Sequence, residues 1–154
     1  MTVKNKIRPE IMKTLREAKT FHSHLGPFLV FGVRMGLIGI RELKVRRGDS
    51  RLHATANLTY NAPTSCILDG IQMTTGCTLG NTRLKLRETE NISVKFRVKG
   101  KNSLTIKVKP STLRKLPKKL MDKKLEIKEI ENLAYTVASM PEENLFTISK
   151  AKRY

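Results

Sequence analysis

Two histidines lie two positions apart in a short polar stretch between two apolar segments. Ser23 separates His22 from His24, and Pro27 follows three residues later. If this stretch is extended, side chains at positions i and i+2 point the same way, so the two imidazoles could converge on one metal ion. Imidazole is a common metal ligand, and zinc accepts it readily. The His-x-His pattern is weak by itself, because two partly exposed histidines at helix ends would give the same pattern.

The two cysteines, Cys66 and Cys77, are the other residues that could act as ligands or nucleophiles. A helix is predicted to begin after Pro63 and to end at Gly76, which places Cys66 in its first turn and Cys77 just past its end. A helix N-terminus lowers the pKa of a thiol, so Cys66 suits a metal ligand or a nucleophile. Cys77 is a second candidate thiol, but the helix separates the two sulfurs by about 15 Å, too far for an intrachain disulfide. Both cysteines could equally be small buried apolar residues.

Two polar residues follow Cys66 on the same predicted helix. Asp69 comes one turn later on the same face, and Gln72 comes three residues after Asp69. A carboxylate in this position could accept a hydrogen bond from a ligand histidine and orient its ring. The alternative is that Asp69 is only an exposed charge near a helix N-terminus.

The segments before the cysteines are predicted to be helical. Pro9 suits the first turn of an amphipathic helix, and a second, more apolar helix is predicted from Pro27 to about Leu43. Glycine costs about 1 kcal/mol in a helix interior, so several glycines on one helix face indicate the close approach of another backbone. That neighbour could be a sheet, a helix or a second subunit. The glycines on this face are Gly32, Gly36 and Gly39.

Alternation of apolar and polar residues predicts the strands. It runs over residues 52–60, and again over residues 92–98 and 104–108, which form a hairpin around Gly100. A helix is predicted at residues 125–139, and a short last strand at residues 145–148. We therefore predict an α+β fold, with an antiparallel sheet flanked by helices in a single compact domain over residues 1–154.

The chain is strongly basic, with 31 Lys and Arg against 13 Asp and Glu and a formal net charge of +18. Such an excess attracts anionic partners such as nucleic acid, an acidic protein, a membrane or an acidic substrate. One face of the hairpin could bind the phosphate backbone of nucleic acid without recognising its sequence. Only 5% of the residues are aromatic, which gives little support to base stacking. The alternative is a solvated face that keeps the protein soluble. The cations of this predicted surface are Lys95, Arg97, Lys99, Lys107 and Lys109.

The location of the protein is predicted from its apolar segments and its cysteines. The most apolar segment, residues 25–40, has only 16 residues and contains Arg34, so it suits a buried helix better than a bilayer span. No secretory signal pattern opens the sequence, and two cysteines without a CxxC pair favour reduced thiols. We therefore expect a cytoplasmic protein without a membrane span.

Two motifs resemble those of the formylmethanofuran dehydrogenase E-subunit family. The first is FHSHLGP at residues 21–27 followed by GVRMG at 32–36, and the second, more specific one is CILDGIQMTTGCTLG at 66–80. The hairpin and PEENLF at 141–146 also match the layout of the family. The resemblance covers nearly the whole chain and implies an α+β core that pairs as a homodimer, a state that the glycine-rich helix face would suit.

The resemblance also implies a set of site residues. His22, His24 and Cys66 match the site positions of the family and would hold zinc or another divalent metal. Members usually carry a cysteine just before the proline of the first motif, where this chain has Gly26. Three protein ligands plus water remain a legitimate open zinc site, although loss of the thiolate weakens metal binding. The cysteine-rich zinc finger of some members is missing.

The resemblance implies an accessory role in one-carbon metabolism. Formylmethanofuran dehydrogenase is a molybdenum or tungsten enzyme that reduces carbon dioxide onto methanofuran, and this chain would belong to such a complex. The sequence has no visible pterin, iron–sulfur or nucleotide motif, so this chain cannot carry out that redox chemistry alone. Whether it is an enzyme stays open, and no catalytic residue is assigned. The alternatives are a nucleic-acid-binding module without catalytic activity and a metal-dependent enzyme acting on a small anion.

Overall fold

The computed structural model describes residues 2–152 of the chain. Within these residues, a 3-10 turn at Val3–Lys6 is followed by seven helices and five strands. The helices are α1 (Pro9–His22), α2 (Pro27–Leu43), α3 (Cys66–Thr75), α4 (Pro110–Arg114), α5 (Lys118–Met121), α6 (Ile127–Ser139) and α7 (Glu142–Leu145). The strands are β1 (Leu52–Leu58), β2 (Leu84–Glu88), β3 (Ser93–Val98), β4 (Ser103–Val108) and β5 (Phe146–Ala151).

The five strands form one sheet in the order β2-β1-β3-β4-β5. The last four strands in this order pair antiparallel, as the alternating pattern predicts. β2 pairs parallel with β1, so the sheet is mixed and not purely antiparallel. A parallel neighbour requires a crossover connection, and α3 lies in the crossover from β1 to β2. The α+β class and the single compact domain are confirmed.

The core lies between the sheet and α2. This helix begins at Pro27, buries most of its residues, and contacts β3, β4, α3 and α6. The apolar segment at residues 25–40 is therefore an interior helix. Arg34 is buried within it and donates hydrogen bonds to the backbone carbonyls of Val137, Ala138 and Met140, which satisfies the C-terminal end of α6. Within residues 2–152, no helix has the length and apolar character needed to cross a bilayer.

The glycines of α2 allow other elements of the same chain to approach closely. A Cβ atom on Gly32 would clash with the backbone carbonyl of Ile67 in α3, and one on Gly36 would clash with the Thr74 side chain. A Cβ atom on Gly39 would lie 2.8 Å from the Phe96 ring of β3. The close backbone contact predicted at this face is thus made within the chain. The glycines no longer argue for a second subunit, and the homodimer stays a prediction that rests on the resemblance.

The face of the sheet opposite α2 carries polar and cationic side chains that are exposed or half-buried. Residues paired across neighbouring strands share a face, so the strand register identifies every position on it. We call this surface the open face. It consists of His53, Thr55, Asn57, Lys85, Arg87, Ser93, Lys95, Arg97, Ser103, Thr105, Lys107, Thr147, Ser149 and Ala151.

Candidate metal centre

The end of α1 brings the two histidines together. His22 is the last residue of α1, and Ser23 adopts a left-handed backbone conformation with φ of 82°. The two imidazole rings lie 4.6 Å apart between centroids and are tilted by 43°. The prediction of an extended His-x-His segment is therefore wrong in its backbone geometry. The rings still meet, because the left-handed residue reverses the chain direction between them.

The third candidate ligand comes from α3. Cys66 is its first residue, preceded by Ser65 at the N-cap, and the glycine contacts described above hold this helix tightly against α2. One donor atom from each of His22, His24 and Cys66 can be chosen so that all three lie within 4.8 Å of one another. His24 is exposed, whereas His22 and Cys66 are half-buried. The structure thus brings the three residues together in one site.

Asp69 and Gln72 support the site through a chain of hydrogen bonds. Nδ1 of His22 lies 2.5 Å from Oδ2 of Asp69, and Oδ1 of Asp69 accepts a hydrogen bond from Nε2 of Gln72. The amide oxygen of Gln72 in turn accepts from the backbone N–H of Leu79. Because an ionised carboxylate only accepts hydrogen bonds, this contact assigns a proton to Nδ1 of His22. Nε2 is buried and has no hydrogen-bond partner, so it is the free donor atom of this ring.

The pKa values of His24 and Cys66 are shifted in opposite directions. Burial, followed by the neighbouring His22 ring, lowers the pKa of His24, which favours the neutral imidazole that a metal requires. Burial, followed by the Asp69 carboxylate, raises the pKa of Cys66. The lowered thiol pKa expected from the helix N-terminus is therefore not what the structure indicates, because burial and the Asp69 carboxylate outweigh the backbone hydrogen bond that lowers the pKa. Both contributions favour the protonated thiol over the thiolate.

An apolar cavity of about 230 Å³ adjoins the three candidate ligands. Its floor includes Gly26, the N-cap of α2, whose φ of −136° and ψ of 167° any residue can adopt. A Cβ atom on Gly26 would lie 3.2 Å from Cγ2 of Ile130, so the Ile130 side chain would have to shift by only a few tenths of an ångström. The backbone at this position therefore does not require glycine. The other lining residues are Pro27, Phe28, Leu29, Ala62, Pro63, Leu120, Lys123 and Leu125, together with the three candidate ligands.

Sequence reasoning missed the part of this cavity that comes from the C-terminal half of the chain. Leu120 lies in α5, Lys123 and Leu125 follow it, and Ile130 lies in α6. These residues carry no spacing pattern that indicates a site, and they are far along the chain from the histidines. Lys123 has a left-handed backbone with φ of 57°, and its ammonium group is the one cation among the described lining residues besides the histidines.

Cys77 lies apart from this site. It is fully buried, and its thiol donates a hydrogen bond to the backbone carbonyl of Leu52 in β1. Burial raises the pKa of this thiol as well. These contacts favour the alternative that Cys77 is a small core residue.

Four of the five cations predicted to share one face of the hairpin lie on the open face or beside it, and the fifth lies elsewhere. Lys95, Arg97 and Lys107 lie on the open face, and Lys99 follows the end of β3 beside them. Lys109 instead lies past the end of β4, where its ammonium group donates to the backbone carbonyl of Glu143. Two further cations on this face come from β2, a strand that the sequence pattern did not reveal.

Comparison with known proteins places the chain in a family. A family model described as FmdE, Molybdenum formylmethanofuran dehydrogenase operon, matches residues 21–147. A probable S-adenosyl-L-methionine-binding protein of Archaeoglobus fulgidus is 35% identical over 97 residues, which are 63% of this chain and 24% of that protein. Because the chain spans about a quarter of the length of this curated relative, the ligand described for the relative is not transferred to it.

A solved structure supports the same assignment at the level of the fold. It is the crystal structure of a tungsten formylmethanofuran dehydrogenase FmdE-like protein from Syntrophus aciditrophicus. The two share a TM-score of 0.56 at 18% identity, covering 94% of this chain and 73% of that chain. Since the family model spans most of the chain, and its match includes all three candidate ligands, the protein belongs to the FmdE family.

Proposed function

We propose that His22, His24 and Cys66 bind one divalent metal ion, and that the protein serves as an FmdE-like accessory protein in one-carbon metabolism. The observation that carries the first part is the geometry of the donors. Three atoms of metal-binding types, one from each residue, lie within 4.8 Å of one another. In addition, Nε2 of His22 is buried without a hydrogen-bond partner. A buried polar nitrogen without a hydrogen bond costs free energy, which a bound ion would offset.

The donor set fits zinc better than a hard cation. Two imidazoles and one thiolate are borderline-soft ligands, whereas magnesium and calcium prefer oxygen. The Asp69 contact to His22 is the usual support of a metal-ligating histidine, since it fixes the tautomer and the ring orientation. A cation at this position would also favour the thiolate form of Cys66 over the protonated form.

The apolar cavity lies beside the donor set, where an exchangeable ligand of the metal could bind. With glycine at position 26, the chain offers three ligands, which is the number found in zinc sites that keep a position open for water or substrate. A zinc ion bound there would supply Lewis-acid polarisation of a ligand oxygen or sulfur. The apolar walls from Phe28, Leu125 and Ile130 would exclude water from that ligand, and Lys123 would attract a negative group at the cavity mouth.

The accessory role rests on the family. The family description names a molybdenum formylmethanofuran dehydrogenase operon, and the chain carries no motif for the redox cofactors of such an enzyme. We therefore assign it to assembly with, or support of, a dehydrogenase of this type. Gel filtration with the dehydrogenase catalytic subunits should show co-elution, and separate elution of all components would contradict this part of the proposal.

The metal site is tested by elemental analysis of purified protein after chelation and zinc reloading. Wild type is expected to retain about one zinc ion per chain, because the donor set offers one site. His22→Ala is expected to lose most of the zinc. The matched control is His53→Ala, which removes a histidine from the open face and should leave the zinc content unchanged. Equal zinc content in the two variants, or no zinc in wild type, would contradict the proposal.

A further inference from the structure

The open face carries a one-sided charge. Of its fourteen positions five are lysine or arginine, and none is aspartate or glutamate. None of these five cations forms an ion pair within residues 2–152. The five are Lys85, Arg87, Lys95, Arg97 and Lys107.

Two shallow depressions extend this charge across the surface. One, of about 310 Å³, lies over β1, β2 and β3, and the other, of about 480 Å³, lies at the hairpin end of β3 and β4. They share Lys95 and Arg97, so they form one continuous surface, and no carboxylate lines either of them among the described residues. The additional cations that they contribute are Arg83, Lys99, Lys101 and Lys152.

The charge of these groups acts on the one histidine of the face. The pKa of His53 is lowered by burial, and then by the positive charges of Arg97, Arg83, Lys85 and Lys99. Arg83 uses its guanidinium N–H groups on the backbone carbonyls of Asp49 and Gly76, so its charge is anchored but not neutralised by a carboxylate. Within residues 2–152, no carboxylate lines the two depressions or pairs with the five cations of the open face, so the surface holds a concentrated positive potential.

The spacing of the cations and the residues between them favour one class of partner. Neighbouring strands are about 4.8 Å apart and alternate residues along a strand about 7 Å apart, which gives a dense two-dimensional array of charges. Duplex DNA carries about one negative charge per 1.7 Å of its axis, so it can engage many of these cations at once. The hydroxyl and amide groups between them, such as those of Thr55, Asn57 and Thr105, are the kind that bond phosphate and sugar oxygens.

The open face lacks the features that a membrane surface or a second copy of the chain would need in order to bind there. The large apolar side chains that are exposed among the described residues all lie outside the open face, so it has no apolar anchor to insert into a membrane. A second copy of the chain would place like charges against each other, which disfavours pairing through this face. His53 carries the one ring at the open-face positions, so bases have almost nothing to stack on.

We infer that the open face binds the phosphodiester backbone of nucleic acid without reading its sequence. This binding is separate from the metal site, because the cavity that contains the histidines shares no lining residue with the two depressions on the open face. It is expected to be steeply salt-dependent, with a log–log slope of about −0.9 for each phosphate neutralised on duplex DNA. It does not depend on the proposed accessory role.

The test is fluorescence anisotropy of labelled short duplexes of two unrelated sequences, titrated at several salt concentrations. The variant is Lys85→Gln, Arg87→Gln, Lys95→Gln and Arg97→Gln combined. The matched control is Lys115→Gln, Lys119→Gln, Lys124→Gln and Lys128→Gln combined, which removes the same charge from exposed positions outside the sheet. Both variants should keep the wild-type circular dichroism and zinc content, since the replaced residues are exposed and none of them lines the cavity beside the metal site.

The open-face variant is expected to lose at least about tenfold in affinity at low salt, and its slope should fall in magnitude by about 0.9 for each phosphate that it no longer neutralises. The control should stay within about threefold of wild type, because net charge outside the interface contributes mainly long-range steering. Equal losses in both variants, no binding by wild type, or binding to anionic phospholipid vesicles in place of nucleic acid would each overturn the inference.

Discussion

At the scale of single residues, Gly26 lines the cavity at the position where the family resemblance implies a fourth ligand. The sequence offers His22, His24, Cys66 and Asp69 as candidates, but their types and spacing are weak evidence by themselves, and the family resemblance is what groups the three ligands into one site. What spacing cannot show is that His22 is helical and that a left-handed Ser23 turns the chain toward His24. That reversal depends on one backbone dihedral angle, which no pattern of residue types encodes.

Replacement of Gly26 by cysteine should restore a fourth protein ligand. Because the backbone at this position is extended and a Cβ atom meets only the Ile130 side chain at 3.2 Å, the variant is expected to fold normally. A fourth ligand should raise zinc affinity by at least about tenfold, equivalent to about 1.4 kcal/mol. Isothermal titration with zinc measures this change.

Gly26→Ala is the steric control for that experiment, since it adds the Cβ atom without the thiol. Its zinc affinity should match that of wild type. If Gly26→Cys binds zinc no more tightly than Gly26→Ala, the side chain at position 26 does not reach the donor set, and the fourth coordination position lies elsewhere.

At the scale of elements, the contact of α2 with α3 fixes the position of Cys66 and Asp69. The sequence predicts a close backbone neighbour for the glycines of α2 but cannot identify it, because helical spacing specifies a face and not its partner. The parallel strand β2 escapes the sequence pattern for a related reason. Its alternation of Leu84, Lys85, Leu86 and Arg87 is short, and its place beside β1 depends on a long crossover that only the folded chain defines.

Replacement of Gly32 by alanine should separate α2 from α3. The added Cβ atom would clash with the rigid backbone carbonyl of Ile67, so the loss in unfolding free energy should be at least about 3 kcal/mol. Chemical denaturation monitored by circular dichroism measures this loss. Gly80→Ala is the matched control, because its Cβ atom would find its nearest neighbour at 3.8 Å, and it should change stability by less than about 0.5 kcal/mol. A Gly32→Ala protein as stable as that control would show that the two helices are not packed this closely.

At the scale of the whole molecule, the two sides of the sheet carry different chemistry. The helical side contains the histidines, the thiol and an apolar cavity, whereas the open face contains an unpaired array of cations. The net charge of +18 indicates an anionic partner but cannot show where that charge is concentrated. Its location depends on strand order, since β2 brings Lys85 and Arg87 next to β1 and close to the hairpin cations. The sequence alone predicts the family and the fold class, whereas the location of the cationic open face depends on the order of the strands in the sheet.

The central claim is that Cys66 and the two histidines bind one metal ion directly. The most direct measurement is the absorption spectrum of the protein titrated with cobalt(II), which replaces zinc in such sites and shows an intense thiolate-to-metal charge-transfer band when sulfur is bound. We predict this band in wild type, with saturation at about one equivalent of cobalt. It should be retained in Cys77→Ala and lost in Cys66→Ser. A spectrum without the band in wild type, or one that disappears in Cys77→Ala and persists in Cys66→Ser, would contradict the account.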